Sequence, residues 1–135
     1  MPHSIYVVED HPIMRLMLCE LIESMPDLAV CGAAVSGEEA LTELATLAPD
    51  VVLIDISLPG MSGIDLVEAI RERWPGRCCL MQSGHREVSY VERSLEAGAQ
   101  GFVLKGSASE LTMAIGQVLG GQVYLSPSLG VRVRR

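Results

Sequence analysis

This sequence predicts a doubly wound α/β domain, a parallel sheet covered by helices on both sides, and three observations support that. Short apolar runs recur at Ile5 to Val8, Leu28 to Val35, Val51 to Ile56, Cys78 to Met81 and Phe102 to Leu104. They are nearly continuous rather than alternating, the pattern of strands buried on both faces. Each is followed by a segment with helical spacing, and five strand-then-helix units in strict alternation imply right-handed crossovers between parallel strands. A chain of 135 residues has length for one such domain and can bury a core without disulfides or structural metal.

The helices carry their own start and stop signals. Pro12 suits a first turn, and Met14, Leu18, Leu21, Ile22 and Met25 then share one face. Ser36-Gly-Glu-Glu39 reads as a capping box opening the second helix, with Leu41, Leu44 and Ala48 inward. Ser62-Gly-Ile-Asp65 resembles a weaker box before Leu66, Val67 and Ile70, and Trp74-Pro75-Gly76 stops that helix. Val88, Val91 and Leu95 carry the fourth helix to Gly98, and Ser107-Ala-Ser-Glu110 caps a fifth with Leu111, Ala114, Ile115 and Val118 inward. Five strands and this length favour the flavodoxin-like strand order 2-1-3-4-5, which puts a ligand beyond the carboxyl ends of the strands, at the crevice between strands 1 and 3.

Composition narrows the function classes. The formal charge is -7, and with Arg132, Arg134 and Arg135 set aside the preceding 131 residues hold 7 basic against 17 acidic groups. Such a body repels phosphate backbones and suits cations, so direct nucleic-acid binding is not expected of it. The 49% hydrophobic content argues against disorder, and with 4% aromatics the core must be aliphatic. Cys19, Cys31, Cys78 and Cys79 form no C-x-x-C pair and sit in apolar runs, which reads as reduced, buried thiols of a cytoplasmic protein. Adjacent Cys78 and Cys79 point to opposite faces of a strand, against a disulfide between them. No apolar stretch approaches a membrane span, and the first residues lack the form of a signal peptide.

The strand ends gather the chemistry. Run one ends in Glu9-Asp10, run three holds Asp55 near its end, run four is followed by Ser83, and run five by Lys105, the single lysine of the chain. Each has an ordinary alternative: Glu9 or Asp10 as a helix cap, Ser83 in a turn, Lys105 as a solvated charge. Asp55 is harder to explain that way, because a carboxylate inside Val51-Val-Leu-Ile-Asp-Ile56 is costly to bury uncompensated. Three clustered carboxylates need a cation, and an all-oxygen donor set suits Mg²⁺ rather than zinc. Metal, ammonium and hydroxyl together are what a transferring phosphoryl group requires, with Asp55 as nucleophile forming an aspartyl phosphate.

The sequence resembles the receiver domains of two-component response regulators. The resemblance is carried by Val7-Val-Glu-Asp-His-Pro12, the run Val51-Val-Leu-Ile-Asp-Ile-Ser-Leu-Pro-Gly-Met-Ser-Gly63, Gln82-Ser-Gly84 and Gly98-Ala-Gln-Gly-Phe-Val-Leu-Lys105, and covers about residues 4 to 120. It implies a CheY-like form of the flavodoxin-like fold, in which Asp55 accepts phosphate from a sensor histidine kinase. Glu9, Asp10, Asp55 and the backbone carbonyl of Ser57 would hold Mg²⁺, Ser83 would bond the phosphoryl group and Lys105 would pair with it. Phe102 matches the family's switch aromatic, which turns inward when Ser83 moves toward the phosphate and so reshapes the face made by helix 4, strand 5 and helix 5. The alternative for Phe102 is ordinary core packing. Gly106 stands where many receivers have a cis-proline, Ser83 where threonine is common, and Ser57 at a position that influences dephosphorylation. His11 and His85 read as loop residues.

Residues 121 to 135 read as a tail. Gly120-Gly-Gln-Val-Tyr-Leu-Ser-Pro-Ser-Leu129 looks like the linker that leads, in NarL/LuxR-type transcription regulators, to a helix-turn-helix domain, and the arginines beyond it read as a solvated cluster. The resemblance therefore implies a receiver that regulates transcription through an output domain outside residues 1 to 135, touches DNA only through that domain, and forms a homodimer through the helix 4 to helix 5 face. The alternative is a natural single-domain receiver acting by protein contacts. The chain is expected not to be an enzyme beyond possible self-dephosphorylation. A haloacid-dehalogenase-type phosphatase would want an acid two residues after Asp55, where Ser57 stands, and a nucleotide or flavin binder would want a glycine-rich loop after run one.

Overall fold

The computed structural model describes residues 2–84 and 88–129. Its elements run β1 (His3–Val8), α1 (Pro12–Glu23), β2 (Leu28–Ala34), α2 (Gly37–Leu44), β3 (Val51–Asp55), α3 (Gly63–Arg73), β4 (Cys78–Ser83), α4 (Val88–Ala97), β5 (Gly101–Leu104), α5 (Ala108–Leu119), β6 (Tyr124–Leu125) and a 3-10 turn at Pro127–Leu129. The sheet has the order β2-β1-β3-β4-β5-β6, with every pair parallel among the described residues.

Strand alternation divides the apolar residues between two cores. Val52 and Ile54 of β3 join Leu66 and Ile70 of α3 and Val91 of α4 on one face. Val51 and Leu53 join Leu18 and Ile22 of α1 and Leu111 and Ile115 of α5 on the other. Burial on both faces is what makes these strands continuous apolar runs in sequence. Cys78 and Cys79 fall on opposite sides of this division, and both are free thiols. No helix among the described residues is long and apolar enough to cross a membrane.

Three of the helix caps follow the expected residues in different ways. Ser36 accepts from the Glu39 N–H at 3.2 Å. Ser62 and Asp65 close a complete reciprocal box, so the weaker match in sequence is the fuller one in structure. Ser107 accepts from the Glu110 N–H, but the Glu110 carboxylate turns away to Ser126. His11, not Glu9 or Asp10, caps α1, its Nδ1 accepting the Met14 N–H at 3.3 Å ahead of Pro12.

The structure corrects the sequence-based picture at three places. The sheet has six strands rather than five, because the chain reverses after α5 and Tyr124–Leu125 pairs with Gly101 and Phe102. The segment read as a linker from residue 121 is thus folded onto the domain as far as Leu129; a two-residue strand is too short to register as a periodic pattern. Ala48 is exposed, since α2 ends at Leu44, ahead of Pro49, which disfavours helix in the residue before it. Cys31 is exposed as well: β1 pairs Ile5 with Val30 and Tyr6 with Gly32, leaving Cys31 as the extra residue of a β-bulge.

Candidate functional site

Parallel strands that all run the same way deliver their carboxyl ends to one edge, and the loops there hold the predicted residues. Glu9 and Asp10 follow β1, Asp55 closes β3, Ser83 closes β4 and Lys105 follows β5. One oxygen from each of Glu9, Asp10 and Asp55 lies within 4.8 Å of the others. Glu9 is fully buried and Asp55 nearly so at 3% exposure, while Asp10 is exposed, which leaves the cluster open to solvent on one side.

Lys105 compensates the buried charge. Its Nζ stands 3.0 Å from Asp55 Oδ2 and 3.1 Å from Glu9 Oε1. Burial works against the ammonium charge, but the two carboxylates overcome it and hold Lys105 above its ordinary value. Glu9 is raised too, which for an acid disfavours its charge: burial first, then repulsion from Asp55, push its carboxyl up to about 7 against the opposing pull of the His11 N–H and Lys105. Two acids with one ammonium between them remain short of positive charge.

The backbone around the cluster is tied down. Asp55 Oδ1 accepts the Ser57 N–H at 3.1 Å, and Glu9 Oε2 accepts the His11 N–H at 3.2 Å. The Lys105 N–H donates to the Ser83 carbonyl at 2.9 Å, joining the ends of β4 and β5. Two contributors escaped sequence reasoning. Arg15 Nη1 donates to the Glu9 carbonyl at 2.9 Å and fixes the β1–α1 loop from one turn into α1. Gly63 lets α3 start directly against the Asp55 strand end: a Cβ there would come within 2.5 Å of the Asp55 carbonyl oxygen. The first carries no motif; the second was visible only as the last glycine of the Asp55 run.

The remaining expected residues divide by burial. Ser83 is fully buried, opposite Leu104 in the ladder, and Ser57 is exposed at the mouth. Phe102 is also fully buried, opposite Met81, in the core that contains Val91, Ala97 and Leu104. Its ring is therefore sealed from solvent. His85 and the arginines 132, 134 and 135 lie outside the described residues.

The donor set fits a hard divalent cation. All three side chains offer oxygen, the site is open to water at Asp10, and Glu9 Oε1 is a buried acceptor that takes no hydrogen bond, only the ion pair to Lys105.

Comparison with known proteins agrees with this geometry. The model of the response regulator receiver domain matches residues 5–116. The chain is 34% identical over 130 residues to the nitrate/nitrite response regulator protein NarL of Escherichia coli K12, covering 95% of this chain and 60% of that one. It is 37% identical over 132 residues to the transcriptional activator protein ExaE of Pseudomonas putida, covering 96% and 61%. The chain thus spans about 60% of the length of these relatives. A two-component response regulator of the LuxR family from Aurantimonas sp. SI85-9A1 superposes with a TM-score of 0.93 at 34% identity, covering 96% of this chain and 94% of that one. With its acidic crevice at the strand ends and these relatives, the chain belongs to the response regulator receiver domains of two-component systems, of the NarL/LuxR type.

Proposed function

We propose that Asp55 accepts a phosphoryl group from a sensor histidine kinase, with Mg²⁺ in the acidic crevice, and that the modified domain controls transcription through an output domain. The observation that carries this reading is the meeting of Glu9, Asp10, Asp55 and Lys105 at one strand edge. Glu9, Asp10, Asp55 and the Ser57 carbonyl would hold the ion, which when bound neutralises charge on the phosphoryl oxygens. A carboxylate oxygen of Asp55 attacks phosphorus, the O–P bond forms as the N–P bond to the kinase histidine breaks, and the imidazole leaves with that electron pair. Lys105 pairs with the transferred group, and the Ser83 hydroxyl donates to it.

Access fits a protein donor. Ile13, Leu16 and Met17 of α1 are exposed beside the crevice loop, and a groove of about 370 Å³ between α1 and α5, lined in part by Met14, Leu21 and Leu111, runs up to Lys105. A partner presenting phosphohistidine has apolar ground to rest on next to the acceptor. The added charge near -2 gives Ser83 a new partner, and Phe102, two positions before Leu104 on the neighbouring strand, senses that movement through the core. Homodimerisation through the α4 to α5 face, DNA contact through the output domain alone, and the absence of turnover beyond self-dephosphorylation belong to the same reading.

The test is incubation with Mg²⁺ and acetyl phosphate, read by intact mass. One phosphoryl group should add to the wild-type chain and none to Asp55→Asn. An adduct that survives the substitution would refute Asp55 as acceptor.

A further inference from the structure

We propose that Ser126 is a positioning residue for Lys105, and that it couples the segment after α5 to the acceptor site; this rests on the phosphoacceptor reading above. Ser126 is fully buried, just beyond β6. Its Oγ accepts the Leu104 N–H at 2.9 Å and donates to the Glu110 carboxylate. These two partners flank the loop that carries Lys105, one immediately before it and one in the first turn of α5.

The sheet explains why a side chain is used there. β6 is two residues long, and its ladder ends with Leu125 opposite Phe102 and the Ser126 N–H donating to the Phe102 carbonyl at 3.1 Å. The next outward N–H of β5 is that of Leu104, past the end of the ladder, and the Ser126 hydroxyl takes it in place of a strand. On the opposite edge the Lys105 N–H is held by the Ser83 carbonyl at 2.9 Å. The strand end is therefore gripped from both sides immediately before Gly106, whose φ of +113° marks the turn into the loop.

Lys105 must reach two carboxylates at once, which depends on where its backbone stands. The Glu110 carboxylate, turned away from its own helix cap, serves this clamp instead. On the tail side, Leu125 and Leu129 pack against the core that contains Phe102. A shift of the Lys105 loop or of Phe102 thus pulls on Ser126, and a pull on the tail acts back on Lys105, as coupling requires.

The experiment uses the whole chain with acetyl phosphate and saturating Mg²⁺, following the rate of adduct formation by intact mass. Ser126→Ala should slow the reaction on the order of tenfold, while Glu110→Gln, which keeps an acceptor oxygen, stays within about twofold of wild type. Saturating Mg²⁺, confirmed for each variant by calorimetry, keeps a change in ion affinity from being read as a change in rate. In the wild type, beryllofluoride with Mg²⁺ should change amide-exchange protection at Leu104 and across residues 124 to 126. Should Ser126→Ala fail to fold, Glu110→Ala takes its place with the same slowing expected. Wild-type rates in the alanine variant tested, or exchange in the tail indifferent to beryllofluoride, overturn the positioning role alone. A wild-type chain that takes no phosphoryl group overturns the phosphoacceptor reading and the positioning role with it.

Discussion

Lys105 and Asp55, fifty residues apart in the chain, meet through an Nζ to Oδ2 contact of 3.0 Å at the carboxyl edge of the sheet. The same ammonium reaches Glu9 at 3.1 Å, so one side chain holds two buried carboxylates together. Lys105 is a quarter exposed, which tempers the strength of both pairs without removing them.

Replacing Lys105 with alanine leaves Glu9 and Asp55 facing each other without a cation. The variant should lose about 1 to 3 kcal/mol of stability in chelator, a figure reduced from the fully buried case for the exposure of Lys105. Urea melts with EDTA and with Mg²⁺ check this, and Mg²⁺ should restore more stability to Lys105→Ala than to the wild type.

Glu9 sets a pH dependence. Its carboxyl is pushed up to about 7 from an ordinary 4.5, so the folded state binds a proton that the unfolded state has released between those values. Stability from this group is therefore full below about 4.5 and declines as pH rises to about 7. Thermal melts in EDTA across that window should show the decline. Glu9→Gln should flatten it, and a decline that survives the substitution would assign it to other groups.

Gly63→Ala tests how closely α3 abuts the acceptor strand. The new methyl would sit 2.5 Å from the Asp55 carbonyl oxygen and 2.7 Å from the Ile56 Cα, backbone atoms that cannot swing aside. A loss of about 1 to 3 kcal/mol is expected in urea unfolding, with slower phosphoryl uptake as the Asp55 strand end shifts.

Phe102→Ala removes the largest side chain of β5 from a sealed core and should cost about 3 to 5 kcal/mol. Phe102→Leu keeps most of the volume and gives the sharper functional test. Sedimentation of this variant should be indifferent to beryllofluoride, whereas the wild type should gain mass; a response equal to that of the wild type would count against Phe102 as the switch.

Much of this protein is legible in one dimension. Doubly buried strands must be written as continuous apolar runs, as Val51 to Ile54 shows, and their alternation with capped helices leaves few topologies. The same runs end where parallel strands must end together, so Glu9, Asp55 and Lys105 could be assigned to one edge from their positions alone. That Cys78 and Cys79 are not joined to each other followed from period-two geometry.

What only the tertiary structure decided are the features that depend on contacts between segments with no local pattern. Glu110 abandoning its cap for Ser126 and the β-bulge that exposes Cys31 each depend on a neighbour distant in sequence or on strand register. The sixth strand is the clearest case. Two residues hold too little periodicity to declare a strand, and Tyr124–Leu125 becomes one because β5 offers an open edge and Ser126 can hold the N–H beyond it. Local sequence determined which segments are strands and helices and which charges stand at their ends, because burial and capping act over a few residues. Packing decided how those charges are held, because a hydrogen bond between distant segments exists only once the chain has folded.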